Sequence, residues 1–164
     1  MTTAESTPLT CDPCYGTLTI DNVLLHGPAW CIPDLSELWG DPVPRTTRGV
    51  TIPHREGRKT YAPINDETFY SFPFLLTGYC DQNGDPYPNF DVGLETNRAY
   101  LATYVTLPTN TGDGTRECVW TLPSGNTITT DVTVLGLRGR LRPGALFRGT
   151  LDLKCSTGAL HLGG

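Results

Sequence analysis

Six cysteines, at 11, 14, 31, 80, 118 and 155, and three histidines, at 26, 54 and 161, are the residues best equipped for chemistry in this 164-residue chain. Cys11-Asp12-Pro13-Cys14 is a CxxC pair. Thiolates at that spacing serve tetrahedral metal sites or dithiol exchange. A zinc knuckle needs four ligands, and no second CxxC and no HxxxH follows the first pair. Cys31 and His26 complete a site only if the fold happens to bring them to the motif. Thioredoxin-type exchange sets its CxxC at the opening of a helix after a strand, whereas this one precedes a strand pattern. No secretory apolar segment accompanies the cysteines. Reduced thiols are therefore expected rather than a disulfide framework, with neither a metal nor a redox role.

Other catalytic arrangements are no better supported. His26 precedes Gly27-Pro28, His54 lies in a polar, turn-rich stretch and His161 in a C-terminal tail. All three read as loop or surface histidines rather than general bases. No serine sits in a GxSxG elbow. The glycines of Thr109–Thr115 lack the GK[ST] of a phosphate loop and follow no strand. Asp66 and Glu67 are adjacent, so a strand would point them to opposite faces, which suits no paired-carboxylate hydrolysis. The acidic loop Asp81–Pro88 has neither a DxDxDG frame nor a Glu at the twelfth position, so calcium is not expected. The expectation is a chain with no catalytic residue, no cofactor and no metal.

The basic residues are more suggestive. Arg45, Arg48, Arg55, Arg58 and Lys59 form one cluster, and Arg138, Arg140, Arg142 and Arg148 another, against a formal net charge of -5. That balance argues against a duplex-DNA reader, which needs a basic face. The clusters are either solvated loop charges or one half of a head-to-tail contact, in which basic loops of one copy meet acidic loops of the next.

These residues must be positioned by short, turn-punctuated elements. Gly 18 and Pro 14 suit a β-rich fold. Thr17–Leu25 reads as a hairpin turning at Asp21-Asn22, both tolerant of positive φ. Trp30 and Trp39 read as core or interface anchors, and Asp34–Trp39 as one helical turn capped by Asp34. The organising stretch is Arg48–Tyr79. It holds a short strand (Val50, Ile52), a tight turn at Arg55-Glu56-Gly57-Arg58, a return arm, and the strand Thr68–Leu76 with Tyr70, Phe72, Phe74 and Leu76 on one face. Pro73 marks a sheet edge or a bulge. A helix is expected over Asp91–Thr106, capped by Asp91, with Leu94, Leu101, Tyr104 and Val105 on one stripe and Pro108 as its stop. Three strands follow: Arg116–Leu122, Thr127–Leu137 and Leu146–Cys155. Cys118, Trp120 and Leu122 share one face, as do Ile128, Val132 and Val134, and as do Phe147, Leu151, Leu153 and Cys155. The fold class expected is α+β: a mostly antiparallel split β-barrel or sandwich with one flanking helix and a protruding hairpin arm. A flexible segment over 1–16 would precede the 17–155 domain, and a tail over 156–164 would follow it.

The order TLTIDNVLLHGPAW, RGVTIPHREGRKTYAP, ETFYSFPFLLTGYCDQNGDP, a helix and a strand meander resembles the N-terminal hub domain of siphophage distal tail proteins and minor tail proteins. The resemblance covers roughly Thr17 to Cys155. It implies a tail-tube-like split barrel that assembles as a ring, commonly hexameric, around a channel that DNA passes through. Expected partners are further copies of the chain, the tail-tube protein and tail-tip, hub or fibre proteins, with no membrane and no stable DNA contact. The arm would meet a neighbouring subunit through Ile52, His54, Arg55, Glu56, Arg58, Lys59 and Tyr61. The second, sugar-binding-type domain of some distal tail proteins is missing, and the CxxC is not part of the pattern. A tail-tube protein is one alternative. A stand-alone β-rich carbohydrate- or protein-binding module is another, with Tyr87 and Phe90 as an aromatic platform.

Overall fold

The computed structural model describes residues 8–11, 15–39, 49–51, 58–60, 68–106, 114–141 and 146–155. They form an α+β fold: a seven-stranded antiparallel half-barrel, one helix and a separate two-stranded hairpin. In chain order the strands are β1 (Thr17–Ile20), β2 (Val23–Leu24), β3 (Trp30–Cys31), β4 (Gly49–Thr51), β5 (Arg58–Thr60) and β6 (Thr68–Leu76), followed after the helix α1 (Phe90–Leu101) by β7 (Arg116–Thr121), β8 (Thr127–Arg140) and β9 (Phe147–Cys155). The large sheet runs β2-β1-β7-β8-β9-β6-β3, and β4-β5 stand apart from it.

Local chemistry sets the turns. Asp21 and Asn22 hold φ of 46° and 65°, the left-handed pair that matches the twist of the flanking β1 and β2. Thr68–Leu76 is the strand its period-two pattern predicts, with Tyr70, Phe72, Phe74 and Leu76 buried. It pairs along its whole length with β9, whereas β3 covers its other edge only at Leu75 and Leu76. Pro73 lies beyond the reach of β3, on the part of β6 whose other edge has no strand partner, the kind of edge position proline tolerates. β8 carries a bulge between Val134 and Gly136. The extra residue is Leu135, which turns outward while Leu137 returns to the core side.

One face of the sheet makes the core: Leu18, Ile20, Cys118, Trp120, Val132, Leu151 and Leu153 pack with the β6 rings. The helix stripe covers it from one side with Leu94, Leu101 and Val105. The segment through Leu25, Ile32, Leu35 and Leu38 covers it from another. Burying a side chain the size of Phe72 contributes about 2 kcal/mol.

The helix differs from the sequence expectation in three ways. Its cap is Asn89, whose Oδ1 accepts from the amides of Asp91 and Val92 at 2.9 and 3.2 Å, so Asp91 lies inside the first turn. The α-helical stretch ends at Leu101 and continues as a π turn over Ala102–Thr106. That wider turn rotates Tyr104 off the apolar stripe and leaves it half-exposed, while Val105 stays buried. Asp34 does cap its turn, a 3-10 turn over Ser36–Trp39, by accepting from the Ser36 amide at 2.8 Å.

The two edges of the half-barrel meet at one end. β2 leads into Leu25, whose amide donates to Leu18 O and whose carbonyl accepts from Ile32, each at 3.0 Å. The next residue, His26, forms an antiparallel bridge with Cys31 of the opposite edge. Among the described residues, no helix is long and apolar enough to cross a membrane.

Candidate subunit interface

The arm begins where β4 and β5 pair only with each other. Gly49 faces Thr60, Val50 faces Lys59, and Thr51 faces Arg58. The backbone of Arg58 and Lys59 therefore lies in the return strand of a separate two-stranded sheet, so Arg58, expected in the turn, already belongs to the strand. Ile52, His54, Arg55, Glu56 and Tyr61 lie outside the described residues, as do Arg45, Arg48, Asp66 and Glu67.

The second basic cluster sits on the outer face of β8 and β9. Arg140 stands directly opposite Arg148, and Arg138 opposite Thr150. Arg138 forks onto Asp152, with its Nη2 3.2 Å from Oδ1 and its Nε in a second, shorter contact to Oδ2. Ser71 Oγ on β6 donates to the same carboxylate at 2.6 Å. The Arg138 guanidinium and the Ser71 hydroxyl hold the Asp152 carboxyl below the usual range, against the opposing effect of partial burial. Arg138 is thus locally neutralised. Among the described residues, Arg140 and Arg148 make no ion pair, and as like charges facing each other on an exposed face they repel mildly. Arg142 lies outside the described residues.

Aromatic residues mark two other surfaces. Trp30 is an anchor, buried with its indole N–H donating to Leu24 O at 3.1 Å. Trp39 is not a core residue: it is 45% exposed, and it touches Trp120 and Tyr15 edge-on at centroid distances of 5.9 and 6.5 Å. Its exposed ring edge adds apolar surface beside Tyr15 and Trp120. On the other surface Tyr100 stacks on Trp30 at 5.5 Å and meets Tyr104 at 4.6 Å, and both tyrosines are half-exposed. The platform expected at Tyr87 and Phe90 does not form. Tyr87 spends its hydroxyl on Asn97 and Phe90 packs on the core. The Asp81 carboxylate is likewise turned onto its own loop, accepting from the Asn83 and Asp85 amides at 2.9 and 3.0 Å.

The cysteines depart from the expectation of reduced thiols. Cys11 and Cys31 form a disulfide, with Cα atoms 6.0 Å apart. His26 joins them: its Nδ1 is 3.5 Å from the Cys11 sulfur, and one donor atom from each of the three residues lies within 4.8 Å of the others. His26 is no plain loop histidine. Burial pushes its pKa down to about 4, and its Nε2 is buried with no hydrogen-bond partner. The fold does bring Cys31 and His26 to the motif. The His26–Cys31 bridge closes the turn 27–30 and sets the two side chains next to each other. Cys80, Cys118 and Cys155 are buried and outside any disulfide, and desolvation drives the Cys118 thiol far up, leaving it inert.

A groove of about 840 Å³ runs between α1 and the β8–β9 end, lined by Leu76, Leu94, Ala99, Leu141 and Phe147 with Glu95 and Arg98 at its rim. Comparison with known proteins gives no match: no family model, no curated protein and no solved structure is significantly similar to this chain.

Proposed function

We propose that this chain is a structural, non-enzymatic component of a long non-contractile phage tail, forming a ring at the tail tip around the DNA channel and linking the tube to tip proteins. The observation that carries the reading is the hairpin β4–β5, which pairs with no strand of the half-barrel and so stands ready for another copy. The half-exposed Trp39 and the Arg140–Arg148 pair supply an apolar and a cationic contact of the kind subunit interfaces use. The net charge of -5 suits a lumen that repels passing phosphates. Self-association, commonly sixfold, and contacts to tube, hub or fibre proteins belong to this reading, as does location in the virion. A tail-tube protein is its near variant.

Negative-stain imaging and light scattering of the full chain, alone and with tail-tube protein, test it. Rings or stacked rings are expected in at least one condition. Charge reversal at Arg55 and Arg58 should abolish them with an unchanged melting temperature. A monodisperse monomer in every condition would overturn the reading.

One observation favours a second reading, a stand-alone glycan-binding module. The Trp30–Tyr100–Tyr104 ladder presents two half-exposed rings on one surface. A monomer that binds a glycan, and loses it in Tyr100→Ala, would establish that reading instead.

A further inference from the structure

The seam of the half-barrel gathers three metal-ligating side chains that no tail role requires. Cys31 is on β3, His26 is its bridge partner across the seam, and Cys11 comes in from the N-terminal segment, which Leu9 ties to the same turn by donating to Pro28 O at 2.9 Å. The three meet although 20 residues separate the cysteines and 15 separate Cys11 from His26.

Tetrahedral zinc holds thiolate sulfur at about 2.3 Å and imidazole nitrogen at about 2.0 Å, so neighbouring donor atoms sit about 3.5–3.8 Å apart. The 3.5 Å between Cys11 Sγ and His26 Nδ1 is such an edge. All three donors fit within the 4.8 Å span already present, so the backbone need not move far to seat an ion. Cys31 is buried and the other two are half-buried, which gives the ion a dry side. His26 is a second, independent pointer. Its Nδ1 faces the Cys11 sulfur at 3.5 Å, while its Nε2 is buried without a partner. A buried imidazole kept neutral has a lone pair to give.

We infer that the reduced chain binds one zinc ion through Cys11, His26 and Cys31, in place of the Cys11–Cys31 disulfide. The two states exclude each other because both use the same sulfurs. A phosphine opens the disulfide by taking up oxygen from water and becoming its oxide, which leaves two thiols. Zinc then replaces the two thiol protons, so each ion bound releases two protons, and His26 joins as a neutral donor. The fourth tetrahedral position is open to solvent or to another donor. Cys14 lies outside the described residues and is not counted as a ligand.

The experiment uses the full chain reduced with a phosphine and titrated with cobalt(II), then zinc(II), against a chromophoric chelator. One cobalt per chain is expected, with thiolate-to-cobalt charge transfer in the near ultraviolet and tetrahedral ligand-field bands that zinc abolishes. His26→Ala and Cys11→Ser should each weaken binding at least tenfold, as second-row changes alone do. Circular dichroism of each variant separates lost ligation from lost fold, and His26→Ala, which leaves both sulfurs in place, carries the test if Cys11→Ser does not fold. The unreduced chain should bind no metal. A tenfold loss in Cys14→Ser adds a third thiolate as the fourth ligand of the same centre, and no loss there assigns that position to solvent; both outcomes support the site. Absence of tetrahedral cobalt bands in the reduced chain, or binding unchanged in both His26→Ala and Cys11→Ser, would overturn it. Ring formation is read separately, so failure of either idea leaves the other standing.

Discussion

The phenol of Tyr87 donates a 2.9 Å hydrogen bond to Oδ1 of Asn97, and the amide nitrogen of Asn97 donates to the carbonyls of Thr77 and Cys80 at 2.8 and 2.9 Å. One buried side chain thereby pins the helix to the end of β6 and to the loop that follows it. Asn97→Leu would bury two carbonyls and a hydroxyl with no partner, at a cost of about 3 kcal/mol. Tyr87→Phe removes one bond and should cost about 1 kcal/mol. Urea unfolding of the two variants checks the order. Equal and negligible losses would show that the helix is held by its apolar stripe alone.

The same junction depends on two glycines in close approach. A Cβ on Gly93 would lie 2.2 Å from the carbonyl oxygen of Gly78 and 2.5 Å from the Tyr87 ring. Alanine is the better helix former by about 1 kcal/mol, which would stabilise a free helix. Here overpacking wins, and Gly93→Ala is expected to lose about 3 kcal/mol. Gly84→Ala is the control: it meets nothing within 4 Å but holds φ of 89°, so only backbone strain of about 1 kcal/mol applies. Thermal melts of the pair give the comparison, and a Gly93→Ala variant as stable as wild type would mean that the helix is not seated this closely.

Arg116 ties three elements together. Its Nη1 bonds Asp21 Oδ2 and Tyr104 O, both at 2.7 Å, and its Nη2 reaches Thr103 O at 3.3 Å. The cation thus sits against the carbonyl end of the helical stretch, where the dipole favours it, and holds the β1–β2 turn at the same time. Asp21 answers with Oδ1, which accepts from the Glu117 amide at 3.0 Å. Arg116→Ala should cost about 3 kcal/mol, because it strands two carbonyls and a partly buried carboxylate. Arg116→Lys keeps the charge but not the fork, and should recover less than half of that loss. Chemical denaturation of both variants decides the matter, and full recovery by lysine would mean that charge alone is needed.

Much of this fold was legible because its signals are local. The Asp21-Asn22 turn needs only residues that accept positive φ, and β6 and β9 announce themselves by strict alternation beside a sheet. What escaped depends on partners far along the chain. Asn97 looks like a surface residue until the Thr77 and Cys80 carbonyls arrive from outside the helix. Asn89 and Asp91 are both good caps, and only the extended backbone at Asn89 decides between them. The Cys11–His26–Cys31 cluster required the two sheet edges to meet, which no spacing rule predicts. The pairing of β4 with β5 is described, whereas the turn expected at 55–57 lies outside the described residues.

The Arg138–Asp152 pair gives a pH test of the outer face. Asp152 titrates below its ordinary value because Arg138 and Ser71 bond its charged form. A depressed folded pKa adds stability that is present above the unfolded carboxylate value of about 3.9 and is lost as pH falls through the folded value. Arg138→Ala should raise the Asp152 pKa toward the ordinary range without returning it fully, since Ser71 Oγ still donates at 2.6 Å. The stability difference between wild type and Arg138→Ala should be small near neutrality, because Arg138 is largely exposed, and should vanish in acid. Carboxyl-carbon NMR titration reads the pKa, and denaturation at both pH extremes reads the stability. An Asp152 pKa indifferent to Arg138→Ala would show the pair to be open in solution. Arg138 would then join Arg140 and Arg148 as a third unpaired cation on that face.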